Sequence, residues 1–121
     1  MVTRPKTILD FNYKGNILPI VEKWAYETNF TVKKTENGMI ECQHGISSMM
    51  CPILVQINQT EENVHLEIWL KVDILTEFTS FFTAPSESGI ESDIDGLYRE
   101  RDLARHFINK LLTQLGQPTI Q

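Results

Sequence analysis

The sequence predicts an α+β fold, a two-layer sandwich in which an antiparallel sheet of four to five strands is covered by an N-terminal and a C-terminal amphipathic helix. Three observations predict it. Apolar residues recur at helical spacing near both ends of the chain. Between them, two-residue alternation marks strands separated by polar turns. The chain of 121 residues, 41% hydrophobic and 22% charged, has the size and balance of one domain with one core. The expected order is α-β-β-β-β-(β)-α over a single domain spanning 1–121.

Residues 1–15 contain Ile8, Leu9, Phe11 and Tyr13 and read as either a packed arm or an extra strand. The first helix begins near Asn16, a good capping residue, with Pro19 in the first turn where a missing N–H does no harm. Ile17, Ile20, Val21, Trp24 and Thr28 share one face of a 3.6-residue period, and Asn29 suits a left-handed exit.

A hairpin follows, pairing 30–35 with 39–44 around Glu36-Asn37-Gly38. A two-residue Asn-Gly turn would mix polar and apolar residues on both faces. A three-residue loop with Gly38 left-handed instead sets Lys34 opposite Ile40, Val32 opposite Cys42 and Phe30 opposite His44, which keeps the apolar positions together. After the connector 45–52, Ile53, Val55 and Ile57 alternate with Leu54, Gln56 and Asn58. Past a polar turn at 59–63, the strand 64–74 points Leu66, Ile68, Leu70, Val72 and Ile74 inward, and His65, Glu67, Trp69, Lys71 and Asp73 outward.

Residues 75–83 are rich in Thr and Phe and fit a fifth, edge strand, whereas 84–96 read as a flexible acidic loop. The last helix starts near Ser92 or Asp95 and runs to Leu115, with Leu97, Ala104, Ile108, Leu111 and Leu115 as its inner stripe. Gly116 and Pro118 stop it.

Composition narrows the function classes. The net charge of −5 is unevenly spread. Residues 1–34 carry six Lys/Arg and three Asp/Glu, 35–97 carry one and eleven, and 98–121 carry four and two. So acidic a middle argues against nucleic acid as a partner, since that affinity comes largely from phosphate neutralisation. No apolar run approaches the roughly 20 residues that cross a bilayer, so no membrane association is expected. The early apolar stretch is broken at Asp10, and Cys42 and Cys51 read as free thiols of a reducing compartment; a cytoplasmic location is expected.

Chemistry-bearing patterns are weak. Cys42-x-His44 with Cys51, and His65 from a neighbouring strand, is the best metal set, but its spacing matches no common zinc pattern. Cys42 has His44 nearby but no orienting acid or oxyanion hole in the sequence, and Ser47-Ser48 lack a nucleophile-elbow setting. Glu91-x-Asp93-x-Asp95-Gly96 lacks the frame of a calcium loop. No catalytic residue, metal ligand or cofactor is therefore assigned.

Two surfaces remain. The outward Trp69, among Glu67 and Lys71, is covered by the N-terminal arm, covered by a second subunit, or part of a binding face; with Phe78, Phe81 and Phe82 it marks an interaction surface. Tyr98, Arg101 and Arg105 lie together on the last helix and suggest an anion or partner contact. In element order alone the chain resembles the small dimeric α+β folds of secretion chaperones, with no shared motif. The function expected is a small non-enzymatic protein-interaction module, a homodimer of chaperone or adaptor type, whose partner is itself or another protein. The alternative is a small-ligand binder or minor enzyme with a pocket between sheet and helices, reached near His44, Cys51 and Arg105.

Overall fold

A computed structural model of the chain describes residues 5–35, 38–45, 52–71, 87–94 and 97–121. In chain order its elements are β1 (Thr7–Asn12), α1 (Leu18–Thr28), β2 (Thr31–Lys34), β3 (Ile40–His44), β4 (Ile53–Thr60), β5 (Asn63–Lys71), the short β6 (Glu87–Ser88) and α2 (Tyr98–Gln114). The strands form one antiparallel sheet in the order β1-β5-β4-β3-β2, and β6 pairs with β5 beyond the end of β1. The α+β class and the flanking helices are those the sequence predicts. Consecutive strands β2 to β5 make a meander, and β1 closes the far side against β5.

That order explains the length of α1. The chain leaves β1 at one edge of the sheet and must enter β2 at the other. Four interstrand gaps of about 4.8 Å span roughly 19 Å. An 11-residue helix rises about 16 Å, so α1 crosses nearly the whole sheet. It buries Val21, Trp24, Ala25 and Thr28 on the way. Both helices cover the same face, where Ile53, Val55, Ile57, Leu66, Ile68 and Leu70 meet Ile17, Val21 and Trp24 of the α1 segment and Ala104, Ile108, Leu111 and Leu115 of the α2 segment.

Local chemistry sets the ends of these elements. The Asn16 carboxamide accepts the Leu18 N–H at 3.0 Å, and Pro19 sits in the first turn. Asn29 is left-handed, φ 62°, and lets the Phe30 N–H reach back to the Ala25 carbonyl at 2.8 Å, a Schellman closure. Gln59 fastens the link between β1 and α1 by donating to the Gly15 carbonyl at 2.7 Å and accepting the Ile17 N–H at 3.2 Å. The first hairpin has the three-residue loop its face pattern requires: Lys34 pairs Ile40, Val32 pairs Cys42, and Gly38 is left-handed at φ +79°.

Four features differ from the sequence reading or refine it. Of the two alternatives for residues 1–15, β1 is a strand, because Thr7, Leu9 and Phe11 turn toward the core layer and pair with Ile68, Leu66 and Val64. The last helix begins at Tyr98 and not at Ser92 or Asp95; Leu97 precedes it with φ 50° and no side-chain cap. Asp95 lies outside the described residues. The expected flexible acidic loop over 84–96 contains, within 87–94, a buried stretch: Ser88, Ile90 and Ile94 are all buried. Ile90 and Ile94 turn into the core, and Glu91 between them accepts a hydrogen bond from the Thr7 hydroxyl. The fifth strand of the main sheet is β1; the candidate edge strand at 75–83 lies outside the described residues, as does Val72.

Candidate functional site

The inner layer is filled rather than hollow. Phe30, His44 and Phe107 form an aromatic cluster with Trp24, with ring centroids 4.5 Å apart for Trp24–Phe30, 5.1 Å for Phe30–His44 and 4.8 Å for His44–Phe107. The Trp24 indole N–H donates to the Phe107 carbonyl at 2.8 Å, tying α1 to α2. Burial in this cluster lowers the His44 pKa, and its Nδ1 has no hydrogen-bond partner among the described residues. Cys42 lies one register step away on the same face, buried, and desolvation pushes its thiol up to about 12. A thiol held that strongly in its neutral form is a poor nucleophile near neutral pH. Around His44 the described residues between sheet and helices are packed rings.

Arg101 and Arg105, grouped with Tyr98 in the sequence as an anion or partner contact, bond to groups of the chain itself. Arg101 is 3% exposed and donates to the Ser88 hydroxyl at 2.7 Å and to the Gly89 carbonyl. Arg105 donates to the Ile90 carbonyl at 2.8 Å and pairs with Asp102 at 3.4 Å. Together they hold the segment after β6 onto α2. Tyr98 alone is exposed as expected, at 65%. Arg101 is thus turned away from any external anion or partner, and the sequence carried the signal: Arg101, Ala104, Ile108 and Leu111 lie on one helical stripe. The same segment passes so close to β1 that the Ile90 N–H donates to Thr7 Oγ1 at 2.8 Å, while that hydroxyl donates to Glu91 at 2.6 Å. A Cβ at Gly89 would stand 2.8 Å from Thr7 Oγ1, so only glycine fits.

The outer face is built in rungs. Register places Thr31, Gln43, Leu54 and Trp69 in one row across β2, β3, β4 and β5, and Lys33, Glu41, Gln56 and Glu67 in the next. A groove of about 500 Å³ runs over these rows, lined by Thr31, Lys33, Glu41, Gln43, Leu54, Gln56 and Trp69, with Asn29 and Gly45 also at its wall. Its lining combines an aromatic, an aliphatic, a cation and an anion.

Trp69 is 6% exposed, although it stands on the face away from the helices. The Lys6 ammonium lies over its ring, 4.3 Å from the centroid, and also meets Glu67 at 3.6 Å. The arm preceding β1 therefore supplies cover, one of the three alternatives the sequence leaves open. Its indole N–H is buried with no acceptor among the described residues. Glu67 is half-buried and Lys71 exposed; Phe78, Phe81 and Phe82 lie outside the described residues, as does Cys51.

A third row joins β1. His65 contacts Asp10 through Nδ1 at 2.6 Å and Glu67 through Nε2 at 2.7 Å, and those two carboxylates raise its pKa. His65 thus stands on the opposite face of the sheet from Cys42 and His44, and cannot join them around a metal. Among the described residues no group of three His, Cys, Asp or Glu side chains is placed to hold a metal ion, and no helix is long and apolar enough to cross a membrane. Sequence reasoning missed the Thr7–Glu91 contact and the C-terminal clasp, in which Asn109 accepts the Ile120 N–H at 2.7 Å and donates to its carbonyl at 3.1 Å. Neither pairing leaves a local pattern, because each joins segments far apart in the chain or beyond a helix stop. No protein-family model, no curated protein and no solved structure matches this chain.

Proposed function

We propose that this chain is a non-enzymatic protein-interaction module that binds an extended segment of another protein in the groove on the outer sheet face. The observation that carries this reading is the groove itself, with Leu54 and Trp69 beside a Lys33–Glu41 rung. An extended chain laid across a sheet presents alternate side chains to it. One apolar side chain seats on Leu54 and the Trp69 ring, and neighbours of either charge find a counterpart at Glu41 or Lys33. A mixed lining of this kind gives orientation to a peptide and offers no nucleophile, base pair or metal set for catalysis.

The small-ligand alternative draws less support. It was expected between sheet and helices, where Trp24, Phe30, His44 and Phe107 now fill the space.

Peptide-library selection against the full chain tests the proposal. The expected result is enrichment of extended sequences with one apolar residue flanked by charges. Binding should shift the emission of Trp69 in a Trp24→Phe background, where it is the sole remaining tryptophan. Leu54→Glu should weaken binding by about tenfold or more while far-UV circular dichroism stays unchanged. Failure to enrich any sequence, or binding that ignores Leu54→Glu, rejects the reading.

A further inference from the structure

The two edges of the sheet are not alike. At one edge, β2 is four residues long and carries Lys33 and Lys34, a charged and short edge of the kind that resists pairing. At the other, β1 is six residues long, and among the described residues it pairs on one side only, with β5.

The hydrogen-bond phase of β1 follows from its register. The Tyr13 N–H donates to the Glu62 carbonyl at 2.8 Å, in phase with the Thr7↔Ile68, Leu9↔Leu66 and Phe11↔Val64 pairs. In an antiparallel ladder the bonded pairs alternate. The odd residues of β1 therefore bond to β5, and the N–H and C=O groups of Ile8, Asp10 and Asn12 point away from the sheet. The side chains of Ile8 and Asp10 lie on the outer face, and Ile8 is 54% exposed.

We propose that two copies of this chain pair β1 against β1 about a two-fold axis through Ile8, joining their sheets into one continuous antiparallel sheet. Charge selects the register. Only pairings of even residues with even residues use the outward backbone groups. Centring on Ile8 sets Ile8 against the second copy's Ile8, and Lys6 against its Asp10 on both sides of the axis. Centring on Asp10 opposes two carboxylates, centring on Lys6 opposes two ammonium groups, and the two intermediate registers set Ile8 against Asp10 or against Lys6. Opposite charges across a pair stabilise it and like charges do the reverse. On the inner face, a groove of about 380 Å³ runs beside β1, lined by Leu9, Phe11, Leu112, Pro118 and Ile120 among others. It offers apolar cover to the half-buried Leu9 of the added strand.

This interface uses β1, not the Trp69 groove, so it stands or falls separately from peptide binding. Sedimentation or light scattering of the full chain tests it. The wild type is expected to be dimeric at micromolar concentration. Asp10→Lys and Lys6→Asp should each weaken the dimer by about tenfold or more, since each places like charges opposite one another twice. The double swap Lys6→Asp/Asp10→Lys should restore it. The contacts of Asp10 with His65 and of Lys6 with Glu67 are lost in the double variant too, so rescue reports the interchain pair alone. Ile8→Lys, which sets an ammonium against its copy at the axis while the register partner on β5 is Glu67, should also give monomers. A monomeric wild type, a dimer indifferent to these changes, or a double swap without rescue overturns the proposal.

Discussion

Cys42 shows how position within the sheet sets chemistry at the scale of one residue. Inward orientation on β3 buries the thiol and pushes its pKa up to about 12. The neutral thiol then behaves as a small apolar group of the core. In a Cys51→Ser background, native protein should resist alkylation by iodoacetamide at pH 8, and denatured protein should react at once; mass spectrometry reads both. Rapid native labelling of Cys42 would mean that β3 opens easily or that the thiol is not buried. Its inward direction was legible in the sequence because the three-residue hairpin loop fixes the alternation along β3. The inward direction of Arg101 was equally legible in the helical period, but a guanidinium on an apolar stripe is accepted only when partners satisfy it, and those partners, Ser88 and Gly89, come from a segment whose course the sequence does not reveal.

Turns test the argument at the scale of elements. Gly38 and Glu61 both occupy the left-handed region, with φ of +79° and 59°. At Gly38 nothing lies within 4 Å of an added Cβ, so Gly38→Ala should cost only the backbone strain, about 1 kcal/mol. Glu61, in the two-residue turn between β4 and β5, already bears such strain. Glu61→Asn should stabilise the protein by about 0.5–1 kcal/mol, because a short polar side chain tolerates that conformation better. Urea unfolding midpoints measure both, and opposite signs are expected. The helices and the β2–β5 meander were readable because each carries its own period. The start of α2 was not, since Leu97 takes a left-handed conformation without a side-chain cap and no residue type announces it.

Stability against pH belongs to the whole molecule, because the two faces of the sheet respond in opposite senses. Below the sheet, burial lowers the His44 pKa from 6.5, so the folded state binds fewer protons than the unfolded chain; this contribution is lost as pH falls from 6.5 through the lowered value. On the outer face, hydrogen bonds to Asp10 and Glu67 raise the His65 pKa from 6.5, so the folded state binds more protons; that contribution is present below 6.5 and lost as pH rises through the raised value. Urea midpoints taken between about pH 5 and 8 should fall on both sides. His44→Phe should flatten the acid limb and His65→Asn the alkaline one. A His44→Phe variant that keeps its acid limb would show that this histidine does not titrate with folding.

By itself the sequence determined the class of fold, the two helix faces, the hairpin register and the direction of the described inward residues of β2 to β5. These follow from periodicities of 3.6 and 2.0, which act within a few residues and need no knowledge of the rest of the chain. Tertiary structure decided what long-range placement alone can decide. It put β1 beside β5, brought Lys6 over Trp69, drew Ile90 and Ile94 inward and left the even backbone groups of β1 facing outward. Each of these joins segments whose separation in the chain leaves no local trace, so only the assembled sheet reveals which edge, and which face, is left for a partner.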